Sequence, residues 1–411
     1  MMKWHIHRYH NFRCILTSTA IMLLLLVTSC SDSDITPAPP AGETYLVDAT
    51  LLNTVSSLEI KLLAQLSGLG LEPDEFIYDV DIFKITYRTK YLGSDITASG
   101  LVVLPKTTIA VAMLSFQHGT IVLQDEAPSN LSPSDPNLLL YGALSSSGFI
   151  GVVPDYLGFG ASSSILHPYY VAEFTASAIV DMLKAARELA EEKNIVFNTK
   201  LFLAGYSEGG YATMAAHKAM EESKPDGFEL IASFAGAGGY DITGLQAYFF
   251  GLKTYDDPYY LAFLARAYQL TYDYTTILTD LFKEPYASRI PTLFDGMTGA
   301  SEINAQLTTD ITDLLQEGLS SNINTDPAYT YLLDAFAENS LTDWIPETLL
   351  YMYHGDSDTT VPYENSFDTY NELLSNGASP NIVTFIPLIG THSTATTPFI
   401  LDFIPRLWAL R

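Results

Sequence analysis

The sequence predicts an α/β protein: a mostly parallel sheet flanked by helices, with a helical cap inserted before the penultimate strand. Three observations lead there. Residues 201–210 read as strand, sharp turn and helix, because an apolar run stops at Gly205 and Tyr211, Ala212, Met214, Ala215, Ala216 and Met220 continue helically. Short, nearly continuous apolar runs at 110–116, 149–153, 201–204 and 230–234, with a helical stretch at 171–193, have the pattern of strands covered on both faces. From 240 to 341 that rhythm gives way to helical, tyrosine-rich sequence without alternating strands.

Taken in order, the chain starts with Lys3, Arg8 and Arg13, an apolar stretch over 15–27, and then Thr28-Ser29-Cys30. This is the layout of a secretory signal, with an apolar core short for a membrane span. Val27-Thr28-Ser29-Cys30 resembles the lipobox of bacterial lipoproteins, which implies a signal peptide over 1–29 and a lipid on Cys30; an ordinary cleaved signal with an incidental cysteine is the alternative. The acidic run Ser31-Asp32-Ser33-Asp34 resembles the surface-export signal of Bacteroidetes lipoproteins, or is a solvated tether. The expected location is the bacterial cell envelope, at the outer membrane. A proline-rich linker follows at 37–42, and residues 30–50 are expected to tether the body.

Cys14 and Cys30 are the only two cysteines, so the body past Cys30 has none for a disulfide and must be stabilised by its core. The chain has 20 basic and 47 acidic residues, and removing Lys3, Arg8 and Arg13 with the signal takes its net charge from −27 to −30. Such a body repels nucleic acid and anionic membrane, and no basic patch offsets this.

Within the body, residues 51–66 are expected to form a helix with one apolar face. Runs at 80–87 and 98–104, rich in β-branched and aromatic residues, are expected as an antiparallel pair at the sheet's edge. After the cap come a strand at 349–355, a helix near 364–374, a strand at 382–386 and a last helix containing 399–407. The catalytic body is thus expected in two parts, 51–239 and 342–411, interrupted by the cap at 240–341. The cap's aromatics, Tyr248, Phe249, Tyr255, Tyr260 and Phe263 among them, are expected to form its own core and in part to line an apolar pocket.

Gly205-Tyr206-Ser207-Glu208-Gly209 has the G-x-S-x-G form of a nucleophile elbow, in which a strained turn pushes the serine hydroxyl outward. The Glu208 N–H opens the following helix and points at a developing oxyanion, where the helix dipole favours negative charge. A serine hydroxyl needs a base, and the base an orienting carboxylate. Five histidines lie beyond residue 30. His217 is too far along the serine's own helix, His118 and His167 lie before the elbow, and His354 directly follows a strand, where it would brace a loop. His392, in the loop beyond the last strand, is left as the base. The loop after the 349–355 strand offers Asp356 and Asp358, either of which could also serve only to form the turn. The second oxyanion donor is expected from Gln117-His118-Gly119-Thr120, as the N–H of Thr120 with Gly119 as alternate.

With these residues in view, the sequence resembles the α/β-hydrolases, and within them the secretory lipase family of yeast lipase A enzymes and their bacterial relatives. The match includes the elbow, Gln117 to Thr120, Val153-Pro154-Asp155-Tyr156-Leu157-Gly158-Phe159-Gly160, His167-Pro168-Tyr169, and His354-Gly355 through Val361-Pro362. The resemblance implies hydrolysis of carboxylic esters through an acyl-serine, with no metal or organic cofactor. Its His-Gly-x-x-Asp-x-x-Val-Pro spacing implies Asp358 as the acid, leaving Asp356 to brace the loop. Peptide hydrolysis or acyl transfer on the same triad, or a non-catalytic surface lipoprotein, are the competing functions.

Overall fold

The computed structural model describes residues 44–68, 70–133 and 135–411; Cys30, the signal stretch and most of the linker lie outside them. Nine strands form one sheet: β1 (Leu46–Val55), β2 (Val80–Tyr91), β3 (Ser94–Pro105), β4 (Val111–Gln117), β5 (Phe149–Pro154), β6 (Phe197–Tyr206), β7 (Glu229–Gly236), β8 (Leu349–Gly355) and β9 (Val383–Leu388). Their spatial order is β1-β2-β3-β5-β4-β6-β7-β8-β9. The first three strands run antiparallel to their neighbours, while every pairing from β5 through β9 is parallel. The fold is therefore α/β with a mostly parallel sheet.

Period-two alternation explains how a continuous apolar run serves two cores. In β6, Leu201 and Leu203 face one apolar cluster while Phe202 and Ala204 face another, all fully buried. On the first face lie α3 (Ala172–Glu192) and α4 (Glu208–Ser223); on the second lie α2 (Pro136–Ser146) and α14 (Thr396–Leu410), which inserts Phe399, Phe403 and Leu407. Each such buried side chain contributes about 1.5–3 kcal/mol relative to exposure. Between β7 and β8 the chain makes eight α-helices among the described residues, from α5 (Ile242–Gly251) and α6 (Tyr259–Thr271) to α12 (Thr330–Asn339). The remaining helices are α1 (Ser57–Ser67) and α13 (Tyr363–Asn376).

Three expectations change. Residues 51–66 are not one helix: 46–55 form β1, and α1 starts at Ser57. The break is chemical, because Ser56 accepts from the Glu59 N–H while the Glu59 carboxylate accepts from the Ser56 N–H, a reciprocal cap that begins a helix there. Upstream of it, the backbone pairs with β2 from Leu46↔Tyr87 to Val55↔Val80, so residues 46–50 also leave the expected linker. Consequently the β2–β3 pair is not the edge, because β1 lies outside β2. In addition, α2 between β4 and β5 was not foreseen; Asp135 caps it and Pro136 takes its first position.

The connection after β4 leads outward to β5, and the next one crosses back over β4 to place β6 on its other side. Loops leaving the carboxyl ends of β4 and β6 therefore diverge and open a crevice, the usual place for a site in an open α/β sheet.

Candidate active site

Ser207 links β6 to α4 with φ 62° and ψ −127°, a conformation an L-residue adopts only under strain. Several hydrogen bonds impose it. The Ser207 N–H donates to the Gly236 carbonyl at 2.8 Å, and the Ser207 carbonyl accepts from the N–H groups of Gly210 at 2.8 Å and Tyr211 at 3.2 Å. A side chain at Gly205 would collide with the Gly209 carbonyl, and one at Gly209 with the Gln117 carbonyl, so both glycines are required by close approach of strand, helix and loop.

The Ser207 hydroxyl lies 2.8 Å from His392 Nε2, and His392 Nδ1 lies 2.6 Å from Asp358 Oδ2. Three residues from the loops after β6, β8 and β9 are thus joined in one relay. Asp356 is elsewhere: its Oδ1 accepts from the Gly390 N–H and the Ser357 hydroxyl, both at 3.1 Å, and it is exposed. It ties the loop after β8 to the loop carrying His392. A further tie comes from Tyr206, whose hydroxyl donates to the His392 carbonyl at 2.8 Å.

The Asp358 side chain has no exposed surface. Burial pushes its carboxyl up, but hydrogen bonds from His354 and His392 and their charges prevail and bring it to about 2. Its other oxygen accepts from the N–H groups of Thr360 and Val361, each at 3.0 Å. His354 braces this loop as anticipated from its place after the strand, with Nε2 2.9 Å from the Val361 carbonyl and 3.1 Å from Asp358 Oδ2. Its direct approach to Asp358 was not foreseen.

On the opposite side of Ser207, the pairing Gln117↔Gly205 carries the β4 exit loop past the elbow. A methyl group on Gly119 would lie 3.6 Å from Ser207 Cβ, so Gly119 passes beside Ser207, with Thr120 next in the chain. The Glu208 N–H belongs to the first turn of α4, where N–H groups have no partner within the helix. The Glu208 carboxylate is buried and its Oε1 lies 2.7 Å from His167 Nε2; the Thr120 hydroxyl is 2.9 Å from the Tyr169 hydroxyl. Sequence reading missed both partners. The signal was present in His167-Pro168-Tyr169, but nothing local in that stretch says which loop it meets.

Ser207 lines a cavity whose walls are mostly apolar, as those of small-molecule sites are. Its walls come chiefly from the helical insertion, with Leu245 and Phe249 on α5, Leu261 and Leu264 on α6, and Leu281, Phe282, Leu315 and Phe336 beyond; Tyr169 and Tyr170 come from the sheet side. Burial raises the phenols of Tyr169, Tyr170 and Tyr255 well above their ordinary value, so this wall is uncharged at any ordinary pH. Other aromatics of the insertion, Phe263 on Phe294 and Tyr272 on Tyr274, stack on one another and form its own core.

Among the described residues, no group of three or more His, Cys, Asp or Glu side chains could hold a metal ion, and no helix is long and apolar enough to cross a membrane.

Known structures share this architecture. A Legionella pneumophila protein described as a hydrolase superposes with a TM-score of 0.77 at 28% identity, covering 88% of this chain and 98% of that one. The rice cell wall degrading esterase LipA of Xanthomonas oryzae gives 0.74 at 24% identity over 89% of this chain and 99% of its own. Candida antarctica lipase A in its closed state gives 0.61 at 17% identity over 88% and 80%. The last two show likeness of fold, that of the α/β-hydrolases. In sequence, the secreted triacylglycerol lipase LIP3 of Malassezia globosa is 31% identical over 71 residues, a match spanning 17% of this chain and 16% of that protein. Residues 132–397, which include the elbow, both aspartates and His392, match the secretory lipase family, and the chain belongs to that family.

Proposed function

We propose that this protein is a serine hydrolase of carboxylic esters, with the acyl chain of its substrate lying in the apolar cavity beside Ser207. The observation that carries the reading is the unbroken relay from Ser207 Oγ through His392 to the buried Asp358, opening onto that cavity.

His392 Nε2 takes the Ser207 proton as Oγ attacks the ester carbonyl, and Asp358 holds the imidazole with Nδ1 protonated and balances the imidazolium. The carbonyl oxygen becomes an oxyanion, held by the N–H of Glu208 and that of Thr120, with Gly119 the alternate donor. Collapse of the tetrahedral species expels the alcohol, which takes its proton from His392 Nε2 and leaves an acyl-serine. Water, activated by the same nitrogen, then releases the acid and restores Ser207. The helical insertion at 240–341 supplies no member of the relay; in this reading it is a cap that selects the acyl group. The N-terminal pattern ending at Cys30 supports a lipid anchor after cleavage of residues 1–29, holding the enzyme at the outer membrane of a bacterial envelope by way of the stretch between Cys30 and β1.

Fluorophosphonate labelling, together with a chain-length series of nitrophenyl esters, tests the activity. Labelling at Ser207, loss of turnover in Ser207→Ala and a rate that rises with acyl length are the expected results. An unlabelled wild-type protein would leave a binding function; labelling without any ester turnover would move the same triad to peptides or acyl transfer.

A further inference from the structure

The segment His167-Pro168-Tyr169 reaches both flanks of the candidate oxyanion hole. His167 Nε2 meets the carboxylate of Glu208, whose own N–H is one proposed donor, at 2.7 Å; the Tyr169 hydroxyl meets the side chain of Thr120, the other, at 2.9 Å. The segment is itself held firmly. His167 Nδ1 lies 2.7 Å from the Leu157 carbonyl, and a side chain at Gly158 would strike the His167 backbone, so the 154–160 loop rests directly against it. The Tyr156 ring stacks on His167 at 5.7 Å and 19°, and its hydroxyl donates to the His118 carbonyl at 2.9 Å. On the cap side Tyr169 stacks on Phe263 at 4.6 Å and 12°.

Proton accounting constrains the His167–Glu208 pair. A backbone carbonyl only accepts, so His167 Nδ1 carries a hydrogen, and Nε2 then faces Glu208 with one proton between them. Whether that proton lies on nitrogen or on oxygen, the pair is neutral as a unit. Without His167, Glu208 would present a buried, uncompensated carboxylate on the same residue whose N–H is assigned to a developing negative charge. The side chains of His167 and Glu208 are only 2% and 3% exposed, so water would screen that charge little.

We propose that His167 and Tyr169 are positioning residues that set the two oxyanion N–H groups, and that His167 in addition neutralises the Glu208 carboxylate at the oxyanion hole. The inference rests on the ester-hydrolase reading. Removing one oxyanion donor outright costs about 10²–10³ in kcat. Misplacing or opposing a donor that is still present costs less.

The test uses the purified protein and a short, soluble acetate ester, with melting temperature, kcat, KM and affinity for a trifluoromethyl ketone analogue of the tetrahedral state measured for each variant. His167→Gln is expected to lower kcat about 10–100-fold with KM within about twofold, and to weaken analogue binding in proportion. Adding Glu208→Gln should recover most of that loss, because it removes the unbalanced charge. Glu208→Gln alone, which keeps the backbone N–H, should lower kcat by less than about tenfold and by less than His167→Gln does, since a neutral amide still bonds a neutral His167. Tyr169→Phe is expected to lower kcat about three- to tenfold, again with KM unchanged.

If His167→Gln keeps kcat within twofold, or the double variant is no faster than His167→Gln, the charge-balancing role is wrong. Should His167→Gln fail to fold, Glu208→Gln and Tyr169→Phe still decide: unchanged kcat and analogue affinity in Tyr169→Phe, or a Glu208→Gln loss above tenfold, overturns the proposal. Loss of the hydrolase reading itself would look different, as Ser207→Ala would then retain turnover.

Discussion

His354 Nε2 stands 3.1 Å from the Asp358 oxygen that His392 Nδ1 approaches to 2.6 Å, so one buried carboxylate oxygen serves two imidazoles. The arrangement makes Asp358 a point of stability, beside the role proposed for it in catalysis. Its carboxyl is held at about 2 in the folded protein against 3.8 when unperturbed. A depressed carboxyl stabilises the fold at pH values above its unfolded pKa, and that stability is lost as pH falls through the folded value. At about 1.4 kcal/mol per pKa unit, the contribution is on the order of 2 kcal/mol. In urea unfolding, Asp358→Asn should therefore be less stable than wild type by about 2 kcal/mol at pH 7, with the gap closing between about pH 4 and pH 2. A gap that stays constant across that range would show that the two imidazoles do not hold the carboxyl down.

The same substitution separates the two aspartates kinetically. Asp358→Asn leaves His392 Nδ1 without an anionic partner, and in serine proteases the equivalent change lowers kcat by about 10⁴. A loss on the order of 10²–10⁴ is expected here, against less than about tenfold for Asp356→Asn, because the exposed Asp356 side chain only accepts from the Gly390 N–H and the Ser357 hydroxyl. Reversed losses would assign the acid to Asp356.

Chain-length selectivity should reside in the cap. Leu264 on α6 lines the cavity and is not part of the relay. Leu264→Trp is expected to fill the acyl space, lowering kcat/KM on long-chain nitrophenyl esters about 10–100-fold while changing acetate hydrolysis less than about threefold. Equal losses on every ester would mean that the helix supports the site rather than shaping the substrate.

Anchoring is tested away from the proposed catalytic site. Cys30→Ala should move the protein from the membrane fraction to the soluble fraction, or leave its signal uncleaved, with kcat/KM unchanged in the purified protein. Membrane retention of the correctly processed variant would rule out a lipid on Cys30. Added protease on intact cells separately reads exposure at the surface.

Local order in the sequence was enough for the sheet's parallel half. Runs such as Leu201 to Ala204 are uniformly apolar because both faces are covered, and that pattern persists whatever packs there. The elbow was readable for the same reason, since Gly205, Ser207 and Gly209 act within one turn. His392 emerged because few histidines exist and chain order leaves one after the last strand. β1 was not readable: residues 46–55 acquire their extended form by pairing with β2, some 25 to 40 residues away in the chain.

What only the tertiary structure decided is direction. Asp356 and Asp358 are two residues apart in one loop, and composition alone does not separate them; the family-like spacing favoured Asp358, but the bonds from Thr360 and Val361 are what aim it at His392. His167 and Glu208 are 41 residues apart, and Thr120 and Tyr169 are 49 apart. Those meetings depend on β6 crossing back beside β4, which brings the loops after β4 and β5 together around the start of α4. A residue's type and its local pattern are properties of the chain, whereas the partner of a buried polar group is set by the register and crossing of strands far apart in sequence.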